Sequence, residues 1–318
     1  MPKYRQDLPQ RNGKLFLTDG GIETTLIFHN GFDLPEFAAF HLLGTEEGRR
    51  GLTDYFRSYA AIARDHGTGF VLESATWRAS PDWGRKLGYS RGALAAVNRQ
   101  CIEMLEDVRA EFETDSSPMV ISGCFGPRGD GYAPSTRMTA SEAEGYHAFQ
   151  ANIFADTRAD LVTAITMTYS DEAIGIVRAA KAAGLPVAIS FTTETDGRLP
   201  SGESLEEAVT RVDDATDGGP VYYMINCAHT THFADTLAVN GDWCERIRAL
   251  RTNASILSHA ELDEAEALDD GDPRDFGIRH ARLVEAFPHV NIVGGCCGTD
   301  QRHILSVLEA LGAGSAPA

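Results

Sequence analysis

No stretch of this 318-residue sequence runs to about 18 or more apolar residues, so no membrane-crossing helix is expected. The opening "MPKYRQDLPQRNGK" is polar and has no apolar signal core. Basic residues are scarce: 28 Lys and Arg stand against 46 Asp and Glu, a net charge of −18. That deficit argues against nucleic acid, whose phosphates need basic patches, and against docking on an anionic membrane. A positively charged small molecule is tolerated. Cysteine is sparse, and six in a chain this long are too few for a disulfide scaffold. Without a secretion signal the expected compartment is the cytoplasm, where thiols stay reduced. Reduced cysteines that cluster are then metal or catalytic candidates. No G-x-G-x-x-G or P-loop follows the first strand-like run, and no short-period repeat or low-complexity segment is present.

What is there is an ordinary globular composition, 43% apolar and 23% charged, in a length that fits one α/β barrel. Short apolar runs at 14–21, 69–76, 119–127, 160–167, 186–193, 221–227 and 290–295 alternate with helical patterns such as "RGALAAVNRQCIEMLEDVRAEF" (91–112). The seventh unit is harder to place: "WCERIRAL" has helical spacing, and a short strand is expected near "NASIL". Strands alternating with helices imply a parallel sheet. About eight units without a linker imply a single (β/α)8 TIM-type barrel over residues 1–318, with a frayed tail near 313–318. An open doubly wound sheet is the alternative, weakened by the absent nucleotide loops.

Barrels of this kind carry their chemistry at the C-terminal ends of the strands. That end collects Asp19, Gly20 and Glu23 after the first strand, and Glu73, Thr76 and Trp77 after the second. It collects Asn226 and Cys227 after the sixth, and Cys296 and Cys297 after the eighth. Three thiols without an obvious fourth ligand point to a zinc (Zn2+) site of the open, catalytic type. The long gap between Cys227 and Cys296 excludes a local finger. Other readings stay open here. Cys101, Cys124 and Cys244 read as packing residues, and Cys296 with Cys297 could form a vicinal disulfide. His229 and His232 are further ligands or simply a polar helix start.

"NIVGGCCGTDQRHI" resembles the last motif of the homocysteine S-methyltransferase family, GGCCGT-x-P-x-H-I. "TDGGIETTL" is similar to the family's opening D-G-[AG]-x-x-T-x-L, and "ESATWRAS" to its T-N-T-F-x-A-S. "SGCFGPRGDGY", "PVAISF" with "RLPSGESLEEAV", and "INCAH" resemble its later segments in the family's order. The resemblance implies a (β/α)8 barrel. It implies Cys227, Cys296 and Cys297 as the catalytic zinc ligands, and Asp19, Gly20, Glu23, Trp77 and Asn226 as substrate-binding residues, Asp19 at the acceptor's amine. The activity it implies is methyl transfer from a sulfonium or betaine-type donor to a zinc-bound thiol. S-methylmethionine or S-adenosylmethionine is the favoured donor, and homocysteine, giving methionine, the favoured acceptor. A homo-oligomer is compatible with it.

Two departures stand out. Ile165-Thr166 occupies the place where the family's fourth strand usually ends in Glu-Thr, so a different thiol acceptor is one alternative. The family's tyrosine-proline-asparagine segment after strand seven is not recognisable. An acidic run of eight Asp and Glu between Glu261 and Asp275 stands there instead, either a solvated loop or a lid attracting a cationic donor. Trp77, Trp83, Tyr169 and Phe191 lie near strand ends, as faces for such a cation or as core. A zinc-binding or redox-sensing barrel without turnover, and a lyase using "GGCCG" as a phosphate loop, are the rivals from other classes.

Overall fold

The computed structural model describes residues 1–132, 134, 137–239, 241–265 and 267–312; the expected frayed tail lies outside the described residues. Eight parallel strands close into a barrel in sequence order. They are β1 (Phe16–Leu17), β2 (Gly69–Glu73), β3 (Met119–Phe125), β4 (Leu161–Met167), β5 (Val187–Phe191), β6 (Tyr222–Asn226), β7 (Ile247–Thr252) and β8 (Ile292–Gly295). Helices α1 (Glu46–Asp65), α2 (Pro81–Lys86), α3 (Arg91–Phe112), α4 (Ala140–Ala155) and α5 (Ser170–Ala182) surround it. So do α6 (Leu205–Thr216), α7 (Thr230–Ala238), α8 (His259–Asp263), α9 (Pro273–Ala286) and α10 (Gln301–Ala310). The (β/α)8 expectation is met. Among the described residues no helix is long and apolar enough to cross a membrane.

The strands are buried on both faces, which is why they read as continuous apolar runs rather than as alternating ones. Period-two alternation still sorts the faces. Phe16, Val71, Val120, Leu161, Ala188, Tyr222, Ala249 and Ile292 form one inward layer, closed from below by Leu8 and Tyr4 of the N-terminal segment. Arg5 fastens that segment by donating to the carbonyls of Ala155, Thr157 and Ala159. Two residues further up β2, β3, β4, β5 and β7 the interior turns polar, with Glu73, Ser122, Thr163, Ser190 and Arg251, and β6 adds Asn226 four residues above Tyr222. The outward faces of the strands pack on the helices. Those helices begin where their caps say they should, with reciprocal capping boxes at Thr139/Glu142 and Ser204/Glu207.

The seventh unit corrects the sequence expectation. β7 begins inside the stretch read as helical and runs two residues past it, and "NASIL" is loop. Arg248 and Arg251, three apart, imitate a polar helix face. In the fold Arg251 points into the barrel and finds an acid there, so a charge sits in a buried strand.

A three-thiol cluster at the barrel mouth

The first and last motifs are laced together. Gly21 N–H donates to Thr299 O and Oγ1 at 3.0 and 3.1 Å, and Gly298 N–H donates to Thr24 Oγ1 at 3.0 Å. Cys296 accepts at its carbonyl from Thr299 N–H, which turns the chain directly after β8. Gly298 makes that turn with φ at +78°, a conformation only glycine adopts without strain. Gly294 and Gly295 leave room for the hydroxyl side chains of Thr18 and Thr299, where any Cβ would collide. The glycines around the paired cysteines are thus accounted for by backbone geometry.

The turn aims both sulfurs at one point. Cys227, Cys296 and Cys297 bring their Sγ atoms within 4.8 Å of one another. Cys227 and Cys297 are 4.0 Å apart, and Cys227 and Cys296 are paired as a disulfide, where the sequence suggests reduced thiols. Two sulfurs directed at a common point can bond to each other, and both must be reduced to act as ligands. Cys101, Cys124 and Cys244 are buried and outside the cluster. Burial, then the charge of Glu23, pushes the Cys297 thiol up to about 11.

Cys227 has φ at +51° and Thr166, across the mouth on β4, +66°; both are unusual for residues with a Cβ. Asn226 ties the two places together. Its Oδ1 accepts from Thr166 N–H at 3.0 Å and Ser190 Oγ at 2.5 Å, and its Nδ2 donates to Thr166 Oγ1 at 2.9 Å. Its carboxamide is therefore spent inside the protein. Ile165 is buried beside it.

Asp19 is 3% exposed, and both its oxygens are occupied: Oδ1 by Arg251 Nη2 at 2.5 Å, Oδ2 by the Tyr55 hydroxyl at 2.9 Å. Burial raises its carboxyl and Arg251 pulls it back. The Gly20 carbonyl accepts from the same Tyr55 hydroxyl. Glu73 lies 4.0 Å from Arg251 with its other oxygen unpartnered, and burial lifts its carboxyl to about 7. Glu23 is half-buried and is likewise lifted to about 7, chiefly by burial.

Tyr132, from the loop after β3, roofs the cluster with its hydroxyl 3.8 Å from Cys297 Sγ. His259 packs on it at 4.2 Å between ring centroids, and burial pushes that imidazole down to about 4, leaving it neutral. Beside Tyr132 opens a cavity of about 510 Å³ bordered by Arg137, Glu194, Asp196 and Arg198.

The aromatic candidates are largely committed elsewhere. Trp77 donates its indole N–H to Ile165 O at 3.3 Å, and its ring carries the Arg78 guanidinium, as does that of Trp83. Phe191 stacks on Tyr223 in the core, and the buried Tyr169 hydroxyl accepts from Met138 N–H. His229 caps α7, and His232 bonds Ile256 O. Much of the acidic run is structural: Glu261 and Asp272 cap helices, Asp269 binds Ser255, and Asp270 and Asp275 pair with arginines. Arg251 and Tyr132 are the residues sequence reasoning missed. An arginine in a strand-length run beside the mouth was the signal for Arg251; Tyr132 ends the segment "SGCFGPRGDGY" but was given no role there.

A family model described as homocysteine S-methyltransferase matches residues 16–311. A search of curated proteins returns no match. Among solved structures the chain resembles the homocysteine methyltransferase MmuM from Escherichia coli. The match to its oxidized form has a TM-score of 0.73 at 18% identity, covering 95% of this chain and 97% of that one. The metallated form gives 0.73 at 16%, covering 95% and 98%, and the apo form 0.67 at 17%, covering 96% and 98%. At identities this low the structural likeness speaks for the fold alone.

Proposed function

The chain belongs to the homocysteine S-methyltransferase family, and on that premise we propose that it moves a methyl group to a thiol held at a zinc ion by Cys227, Cys296 and Cys297. The donor is of sulfonium or betaine type, with S-methylmethionine and S-adenosylmethionine favoured, and the favoured acceptor is homocysteine, which leaves as methionine. One observation carries this reading: three sulfurs converge within 4.8 Å at the barrel mouth, and no fourth ligand joins them among the described residues. Three protein ligands with an open position is the catalytic zinc pattern, whereas four close a structural site. An all-thiol donor set suits zinc and not magnesium or calcium. A thiol lifted to about 11 also needs a cation beside it to ionise at neutral pH.

When bound, zinc would supply the positive centre that removes the acceptor thiol's proton. The chain's own residues supply the rest. Tyr132, with His259 packed on it, covers one side of the cluster. Glu23, close enough to Cys297 to raise it, is the carboxylate placed to meet the acceptor's ammonium, because Asp19 is satisfied by Arg251 and Tyr55. Gly20 and Asn226 hold the mouth in shape, and Trp77 walls it. In the transfer the sulfur lone pair forms the new S–C bond while the donor's C–S or C–N bond breaks. That bond's electron pair stays on the departing sulfide or amine, so alignment is the main requirement.

Protein purified under reducing conditions should carry about one zinc per chain. Cys297→Ser should lose both metal and turnover in a screen of thiols against sulfonium and betaine donors, with its circular dichroism unchanged. Full metal content and activity in that variant would sink the proposal. The Cys227–Cys296 pairing favours one other reading, a zinc- or redox-responsive barrel without methyl transfer. Zinc binding with no turnover on any thiol and donor would select it.

A further inference from the structure

Among the described residues three arginines are buried: Arg78, Arg109 and Arg251. A buried guanidinium ordinarily meets a carboxylate, because an unpaired charge away from water is strongly unfavourable. Arg109 meets Asp160 at 2.7 Å and Arg251 meets Asp19 at 2.5 Å. Arg78, 6% exposed, has no carboxylate at ion-pair distance among the described residues; Asp130, Glu23 and Glu36 bear on it only as more distant charges. It lies instead between two indoles, 3.9 Å from the ring centroid of Trp77 and 3.9 Å from that of Trp83. Its Nη1 donates to the Gly129 carbonyl at 3.2 Å. Its Nε is buried without a partner, and so is the indole nitrogen of Trp83. With Nη1 engaged, the side-on fork of Nε and Nη2 is the edge left over, and that edge matches a carboxylate with two parallel hydrogen bonds.

This arginine belongs to the mouth that holds the thiols. Gly129, whose carbonyl accepts from Arg78, is in the same loop as Tyr132, whose hydroxyl is 3.8 Å from Cys297 Sγ. Trp77, the ring beneath it, bonds the end of β4 at Ile165. Glu23 lies within electrostatic reach of both Arg78 and Cys297.

We propose that Arg78 is the docking point for a substrate carboxylate, received by Nε and Nη2, and that it selects acidic thiols or acidic methyl donors over their neutral analogues. The proposal rests on the thiol-methyltransferase reading above and narrows its substrate class. Trp77 and Trp83 hold the guanidinium in plane, so the anion meets a preorganised fork. The acid can come from either substrate. Homocysteine and simple mercapto acids carry one on the acceptor side, and sulfonium acids carry one on the donor side.

Two of the chain's three tryptophans flank Arg78, which makes intrinsic fluorescence a direct readout of binding that needs no turnover. The zinc-loaded protein is titrated with two matched pairs. One is 3-mercaptopropionate against 3-mercaptopropanol; the other is dimethylsulfoniopropionate against 3-hydroxypropyl dimethylsulfonium. The acid of at least one pair should bind roughly 10- to 100-fold more tightly than its alcohol, the range for a charged hydrogen-bonding group. The pair that discriminates identifies the acceptor or the donor as the source. Arg78→Gln should erase the preference, and Arg78→Lys should keep part of it. No preference in the wild type, or a preference that survives in Arg78→Gln, overturns the proposal. Should Arg78→Gln not fold, the wild type and Arg78→Lys carry the comparison. If turnover is absent with every substrate, the methyl-transfer reading fails, and the titration still decides Arg78.

Discussion

Glu73 shows how a single side chain records its surroundings. It stands on the inward face of β2, one oxygen without a partner, the other 4.0 Å from Arg251. Burial favours its neutral form and lifts the carboxyl from 4.5 to about 7, against the opposing pull of Arg251. A carboxyl raised on folding stabilises the folded state fully below the unfolded value near 4.5. That contribution is lost as pH climbs through about 7, and at that displacement it amounts to about 3 kcal/mol. Glu73→Gln stays neutral throughout. Urea unfolding at pH 5 and pH 8 should therefore show the wild type losing about 2.5 kcal/mol more than the variant across the interval. Parallel pH profiles would remove Glu73 as the titrating group. Asp19, at the same depth, has both its oxygens partnered: its "DGG" setting was legible, but its partner was not, because Arg251 is 232 residues away in sequence.

Among the elements, β4 and β6 depend on one another at their upper ends. Thr166 and Cys227 hold left-handed backbone conformations, each at a cost of roughly 1–2 kcal/mol for a residue with a Cβ. The Asn226 side chain offsets this with three buried hydrogen bonds. Asn226→Ala should lower stability by about 2–4 kcal/mol and reduce zinc retention, since Cys227 follows directly on the freed strand end. Asn226→Asp keeps the acceptor toward Ser190 and Thr166 N–H and should fall between. An alanine variant with wild-type unfolding and full metal content would show that the clamp is dispensable. Strand-level legibility varied for the same reason. β2 through β6 announced themselves as apolar runs, whereas β7 hid behind Arg248 and Arg251, whose spacing is helical; only Arg251 is buried, against an aspartate far away in sequence.

For the whole molecule, the barrel separates stability from chemistry along its axis. The lower interior is apolar and is stoppered by Leu8, which is 5% exposed, and by Tyr4. The upper interior is polar and opens on the thiols. Leu8→Ala should then cost about 2–4 kcal/mol of stability through the cavity it leaves. It should leave kcat/KM within about twofold for whichever thiol is turned over. The check is urea unfolding alongside initial rates at 25 °C. A large loss of activity in a variant that remains folded would mean that the two ends are coupled.

The sequence alone determined the alternation of strands and helices, because hydrophobic periodicity and helix caps are local properties, and its count of about eight units pointed to a closed barrel rather than an open sheet. It also determined that Cys227, Cys296 and Cys297 end strands, which in a barrel of this hand places them at one mouth. Only the tertiary structure decided which charges meet. It bound Asp19 to Arg251 and withdrew the Asn226 carboxamide into a clamp. It also set Tyr132 over the thiols and left Arg78 between two indoles, with no carboxylate at ion-pair distance among the described residues. Such pairings join residues from separate strands and loops, and no local pattern encodes them. They follow from the register and closure of the whole sheet, which set where every strand end arrives.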